Sequence, residues 1–212
     1  MRRIGAASSR VTCSRSGAKS TRPRRHVRLC RADRDPHVTL HSLAYRYCKQ
    51  LEERGIRPPD LAFAGGFSTE DGVFKALALG SPYTKAVCMG RTLMIPGMVG
   101  KNIGRWFEEE KVPRLVQKYG TRVDEVFICW EELKATYGDA ISEIPLGAIG
   151  IFTFVQKMQI GLQQLMAGSR NFNLGTMGRT DLMSLTQECA QVTGIPYVMD
   201  AYATEAQAIL DS

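Results

Sequence analysis

The sequence predicts an α/β fold in which a short parallel sheet precedes a helical region. Three neighbouring segments indicate this class. Leu61–Ala64 is an apolar run of strand length that stops at a Gly-Gly pair. Helical spacing of apolar residues follows up to Gly80, and a second strand-like run covers 84–89. Together these segments have the size of a βαβ unit, which normally has parallel strands and a right-handed crossover.

The predicted crossover helix has a cap and one apolar face. Ser68 can cap it, and Glu70 and Asp71 follow in its electropositive first turn. The residues of its apolar face are Val73, Ala76, Leu77 and Gly80, of which Gly80 also ends the helix.

Helices are predicted on both sides of this unit. The first begins near Pro36 and ends at Gly55. The others are predicted at 98–110, 113–119, 122–137, 146–169 and 179–193. The helix at 146–169 is apolar nearly all round, so we expect it to be buried. Thr180 is the expected cap of the last helix, with Asp181 as a carboxylate at its start.

The two glycine turns predict a phosphate-binding site. Gly65 and Gly66 follow the first strand, and Gly90 and Arg91 follow the second. Glycine lets a phosphate approach the backbone N–H groups, and in (β/α)₈ barrels such loops after the last two strands often hold a phosphate. Arg91 would add a charge-assisted contact; its alternative role is a surface salt bridge.

Other candidate residues carry weaker signals. His37 and His41 could share a helix face as metal ligands, but polar contacts at a helix end are favoured because nothing completes a site. Cys88 is expected to be a core thiol. Trp106 and Trp130 are expected to be packing residues. We predict no catalytic residue and no metal site in this chain.

Residues 1–35 are predicted to be a disordered basic tail. They carry a net charge of +9, whereas the remainder carries −2. Such Arg- and Ser-rich composition fits a mispredicted or out-of-frame start, an organelle transit peptide or a nucleic-acid-binding arm. We favour the first, and expect a cytoplasmic protein without membrane or nucleic-acid partners. The scattered cysteines are expected to be reduced and mostly buried.

Beyond residue 35, the chain closely resembles the FMN-binding domain of glutamate synthase, in its shorter archaeal-type branch. Six stretches carry the resemblance. They are PHVTLHSL at 36–43, FAGGFST at 63–69, KAVCMGR at 85–91, IPGMVGKN at 95–102, GLQQLMAG at 161–168 and GRTDL at 178–182.

The resemblance implies a (β/α)₈ TIM barrel that binds FMN. It implies an oxidoreductase acting on CH–NH₂ donors, which forms glutamate from 2-oxoglutarate and ammonia or glutamine-derived nitrogen. By this motif match, Gly65, Gly66, Gly90 and Arg91 would hold the FMN phosphate. The chain would then comprise the last βα units of the barrel at 36–110 and a C-terminal helical extension at 111–212.

The chain also departs from that family. It has about two barrel strands, lacks the residues that face the flavin ring, and has no cysteine cluster for a 3Fe–4S centre after Cys88. We therefore expect a truncated product that is inactive alone and binds FMN weakly or not at all, or one whose missing strands come from a separate chain. The alternatives are an IMP-dehydrogenase-like phosphate-binding barrel, which the stretch at 96–102 disfavours, and a non-enzymatic module with a nucleic-acid-contacting tail.

Overall fold

The described part of the chain is mostly helical and contains a small parallel sheet. The computed structural model describes residues 7–8 and 36–211. The sheet joins β1 (Ala7–Ser8), β2 (Leu61–Ala64) and β3 (Thr84–Cys88) in that order, and both pairings are parallel. This arrangement agrees with the predicted α/β class and with the predicted parallel strand pair. Strand β3 ends one residue before the predicted boundary.

Nine α-helices lie within the described residues. They are α1 (Pro36–Glu53), α2 (Glu70–Gly80), α3 (Arg91–Glu108), α4 (Arg114–Gln117), α5 (Val123–Val126), α6 (Trp130–Tyr137), α7 (Leu146–Gly168), α8 (Gln187–Thr193) and α9 (Ala203–Leu210). Short 3-10 turns occur at Gly138–Glu143, Leu174–Thr176 and Arg179–Asp181. Helices α1 and α2 occur where they are predicted, although α2 begins at Glu70, two residues after the predicted cap Ser68. Gly55 follows α1 in the left-handed conformation, with φ +71°.

The described residues divide into two compact units. The first contains residues 7–8, 36–67, 71–88 and 165–211, and the second contains Ser68–Glu70 and Met89–Gln164. In the first unit, the core lies on β2, where Leu61 and Phe63 are buried. Helix α1 places His41 on this strand, and the His41 and Phe63 rings stack with centroids 3.5 Å apart. Burial of each large apolar side chain contributes about 1.5–3 kcal/mol.

The second unit has its own core and a close helix pair. The buried residues of this core are Ile103, Phe127, Leu133, Ile141 and Ile149, and Trp106 and Trp130 pack against them as predicted. Helices α3 and α7 approach closely at glycines. A Cβ atom added to Gly100 would lie 2.4 Å from the Leu146 carbonyl oxygen, and one added to Gly150 would lie 2.4 Å from that of Pro96. Glycine is therefore required for this helix spacing.

Helix α3 begins seven residues before its predicted start at Met98. Pro96 and Gly97 precede the predicted start, yet both lie inside α3. Packing supplies the reason, because Gly97 and Gly100 allow α3 to contact α7 along its length. The outward face of α3 is apolar, with Met94, Ile95, Met98 and Val99 all exposed.

Two further helix predictions need correction. The helix predicted at 122–137 is two helices, α5 and α6, because the connecting Phe127 turns into the core. The helix predicted at 179–193 is a 3-10 turn followed later by α8, whose cap is Thr186 rather than Thr180. Asp181 does accept a hydrogen bond from the Gly178 N–H at 2.8 Å, as a carboxylate at a helix start would.

Helix α7 has an exposed face, contrary to the expectation that it is buried all round. Val155 and Ile160 are about half exposed, at 46% and 52%, whereas Ile149 and Met158 are buried. The predicted face of α2 also differs. Phe74, Ala76, Ala78 and Leu79 are buried, while Val73 and Leu77 are half-buried.

The thiols are less buried than predicted. Cys48, Cys88, Cys129 and Cys189 are free, and only Cys48 among them is buried. Its burial raises the pKa of the Cys48 thiol. No helix in residues 36–211 combines the length and apolar character needed to cross a bilayer. Apart from the strand Ala7–Ser8, the predicted tail at 1–35 lies outside the described residues.

Candidate phosphate-binding site

The two strands that precede the glycine turns end at the same edge of the sheet. Ala64 is the last residue of β2 and Cys88 the last of β3, and the two are partners in the parallel register. Gly65 follows Ala64 directly, and Met89 and Gly90 follow Cys88. The carboxyl edge of a parallel sheet is where α/β proteins commonly bind ligands.

The Gly65–Gly66 turn has a conformation that suits glycine. Both residues have positive φ, +104° at Gly65 and +77° at Gly66. Side-chain-bearing residues adopt this region only at a cost, and glycine adopts it freely. The turn therefore explains why both positions are glycine.

His37 lies against this turn, which sequence reasoning did not predict. A Cβ atom on Gly66 would lie 2.7 Å from His37 Nε2. The His37 ring also lies 5.8 Å from the Phe67 ring and 6.5 Å from the His41 ring. The shared helix face of the two histidines is thus confirmed, and α1 uses it to contact β2 and the following turn. No group of His, Cys, Asp and Glu that could hold a metal ion occurs in the described residues.

Gly90 and Arg91 form the start of α3 rather than an isolated turn. Gly90 precedes the helix, and the Leu93 N–H donates to the Gly90 carbonyl oxygen at 3.0 Å. A Cβ atom at Gly90 would meet nothing within 4 Å. Arg91 is exposed, and its side chain forms no ion pair or hydrogen bond with a described residue.

The helix that begins directly after Gly90 is α3, and its amino-terminal end is electropositive. Its first turn has no acidic residue and begins with Arg91. Helix α2 begins with the carboxylates of Glu70 and Asp71, as predicted. Because carboxylates already neutralise that end, α3 is the better helix for attracting an anion.

The four predicted site residues belong to different units. Gly65 and Gly66 lie in the first, and Gly90 and Arg91 lie in the second. Their predicted joint role in holding a phosphate stays a prediction. A cavity of about 290 Å³ in the first unit is lined by Val73, Leu77 and Thr84, among others, and by none of the four.

Comparisons of the chain with protein families, with curated proteins and with solved structures found no match. The resemblance to glutamate synthase is accordingly still a prediction from the six sequence stretches. The functional proposal that follows depends on those stretches and on the geometry of the glycine turns.

Proposed function

We propose that the chain is the C-terminal portion of an FMN-dependent oxidoreductase of the glutamate-synthase type. Residues 36–110 would be the last βα units of its (β/α)₈ barrel. The observation that supports this most is the register of Ala64 with Cys88, which ends two parallel strands level with each other before the glycine turns. A phosphate site after the last two strands is typical of such barrels.

The residues at the turns fit the phosphate group of FMN. Gly65 and Gly66 have positive φ values that glycine adopts freely, and Gly90 leaves open space where a side chain would stand. Arg91 would add its guanidinium at the positive end of α3. FMN, when bound, would supply the redox chemistry, while these residues would hold its phosphate.

The complete enzyme would form glutamate from 2-oxoglutarate and ammonia or glutamine-derived nitrogen. This chain would contribute no catalytic residue. The sheet formed by the described residues has three strands, which is too few to close a barrel of eight. We therefore infer that the purified chain makes no glutamate by itself and binds FMN weakly, with the remaining strands required for turnover.

A titration of the full 212-residue chain with FMN, followed by flavin fluorescence, tests the proposal. Riboflavin, which lacks the phosphate, is the matched ligand. We expect weak saturable binding of FMN, at least tenfold weaker binding of riboflavin, and a comparable loss with Arg91→Ala. Equal binding of the two flavins would contradict a phosphate site at the turns.

The glutamate-forming role needs a separate measurement. The chain is incubated with reduced FMN, 2-oxoglutarate and ammonium, and glutamate is quantified by mass spectrometry. We expect none above the level without protein. Sustained glutamate formation would show that the chain carries catalytic groups of its own and would overturn the proposal that it is only a portion of the enzyme.

A further inference from the structure

A cavity of about 330 Å³ in the second unit has an unusual combination of charged groups. It is lined by the start of α2, by the segment between α5 and α6, and by one face of α7. Glu70 and Lys157 are the charged residues in its wall. None of the residues in the glycine turns lines it, so it is a site apart from the proposed phosphate site.

The carboxylate of Glu70 lacks a hydrogen-bond donor. Its Oε2 atom is buried and has no partner among the described residues. A buried polar atom without a partner is destabilising, and more so when it is charged. An ammonium group of a ligand would supply the missing charge-assisted hydrogen bond.

Gly161 permits this position of Glu70. A Cβ atom at Gly161 would lie 2.6 Å from Glu70 Cγ and 3.1 Å from Oε1. Any side chain there would push the carboxylate away from α7. The glycine therefore keeps Glu70 in the wall of the cavity.

Lys157, which lies on α7 together with Gly161, provides the charge opposite to that of Glu70. It precedes Gly161 by four residues, which is about 6 Å along the helix axis. Its ammonium group forms no ion pair with a described residue. A ligand with only a positive charge would be repelled by Lys157, and one with only a negative charge by Glu70. A small zwitterion complements both.

The remaining wall indicates the kind of zwitterion. Ile128 and Ile160 line the cavity and are 87% and 52% exposed, so a ligand with an apolar portion would cover them. The amide groups of Gln156 and Gln164 can hydrogen-bond a carboxylate. The cavity volume lies at the lower end of the range of about 300–1,000 Å³ for ligand pockets, which suits a small molecule.

We propose that this cavity binds a free α-amino acid with an apolar side chain. Its ammonium group would donate to Glu70, its carboxylate would accept from Lys157 and the glutamine amides, and its side chain would pack on Ile128 and Ile160. This site does not depend on the proposed FMN function, because the two sites share no residue.

Isothermal titration of the full chain with L-leucine, L-methionine and L-phenylalanine tests the site. Leucinamide lacks the carboxylate and N-acetyl-leucine lacks the ammonium group, so they are the matched ligands. We expect saturable binding of at least one amino acid and at least tenfold weaker binding of both leucine derivatives relative to leucine. If none of the three amino acids binds saturably, or if leucine and its derivatives bind equally, the proposal is wrong.

Variants locate the binding. Glu70→Gln and Lys157→Gln should each weaken amino-acid binding about tenfold, and Gly161→Ala should weaken it by displacing Glu70. Lys118→Gln, which removes an exposed lysine of the same unit outside the cavity, should bind like the wild type. If Glu70→Gln does not fold by circular dichroism, the exposed Lys157 still provides the test. Unchanged binding in Lys157→Gln would overturn the proposal, and an FMN titration of the same samples would show whether the phosphate site is affected separately.

Discussion

The guanidinium of Arg179 lies over the ring of Tyr45, with its central carbon 4.1 Å from the ring centroid. The same guanidinium donates hydrogen bonds to the carbonyl oxygen of Leu79, at 2.8 Å, and to that of Thr193. One side chain therefore joins α1, the end of α2 and the end of α8. Its partial burial lowers the pKa of Arg179.

Replacing Arg179 should destabilise the first unit. Arg179→Ala removes the cation–π contact and leaves two carbonyl groups without their donors, so we expect a loss of about 2–4 kcal/mol in the free energy of unfolding. Arg179→Lys keeps the charge but not the planar fork, and should recover less than half of the loss. Urea unfolding followed by circular dichroism measures both.

The exposed Arg57 offers the control for this series. Arg57→Ala should change stability by no more than about 0.5 kcal/mol. If Arg179→Ala behaves like Arg57→Ala, the guanidinium does not join these elements in solution.

Ionisation of Tyr83 should make the free energy of unfolding depend on pH in the alkaline range. Its hydroxyl donates to Glu52 Oε2 at 2.5 Å, and burial, followed by this hydrogen bond and the Glu52 charge, raises the pKa of Tyr83. In the unfolded chain, tyrosine ionises near pH 10. The stabilisation is therefore complete below about pH 10 and is lost as the pH rises above it, because the unfolded state then releases a proton that the folded state retains.

Tyr83→Phe isolates this effect. It should be less stable at pH 7 by about 1 kcal/mol and lose less stability than the wild type between pH 9 and 11, as measured by thermal unfolding at each pH. Tyr119→Phe removes a tyrosine that is 71% exposed and should leave the pH dependence unchanged. Parallel pH profiles for the wild type and Tyr83→Phe would refute the assignment.

A methyl group at Gly90 should weaken FMN binding without lowering the stability of the fold. Because a Cβ atom there meets nothing within 4 Å and φ is −112°, Gly90→Ala should fold as well as the wild type. It should nonetheless weaken FMN binding about tenfold if a phosphate approaches this backbone. Gly168→Ala also adds a methyl group in open space and should leave FMN affinity unchanged. Equal affinities for Gly90→Ala and the wild type would exclude Gly90 from the site.

The contact between α3 and α7 should tolerate no added side chain. Gly100→Ala would place Cβ against the Leu146 carbonyl group, and the backbone must move to relieve the overlap. Overpacking of this kind costs about 1–3 kcal/mol, which exceeds the gain of roughly 1 kcal/mol from replacing a helical glycine. Gly168→Ala again serves as the control, with no loss expected. Thermal unfolding that shows Gly100→Ala to be as stable as Gly168→Ala would disprove the close contact.

The βαβ unit could be predicted because its signals are local. Leu61–Ala64 is short, apolar and followed by two glycines, and its bounds are as predicted. The start of α3 could not be predicted, because Pro96 and Gly97 resemble a break until the packing of α3 on α7 is known. Local sequence signals do not predict an element correctly where tertiary contacts determine its conformation.

In the candidate site, too, some features could be predicted from the sequence and others could not. Its glycine turns are visible in the sequence, because Gly65 and Gly66 follow an apolar run. The proximity of His37 to Gly66 arises from the docking of α1 on β2, which no sequence spacing reveals. The cavity beside Glu70 likewise depends on a glycine in a distant helix, Gly161.

The apolar outward face of α3 gives the protein a chemical vulnerability. Met94 and Met98 are 61% and 62% exposed there, whereas Met158, Met166 and Met177 are at most 8% exposed. Peroxide should therefore convert the two α3 thioethers to sulfoxides before the three buried ones. Each oxidation replaces an apolar side chain with a polar, chiral one. Under oxidative stress this helix face should therefore become less hydrophobic, while the buried core stays intact.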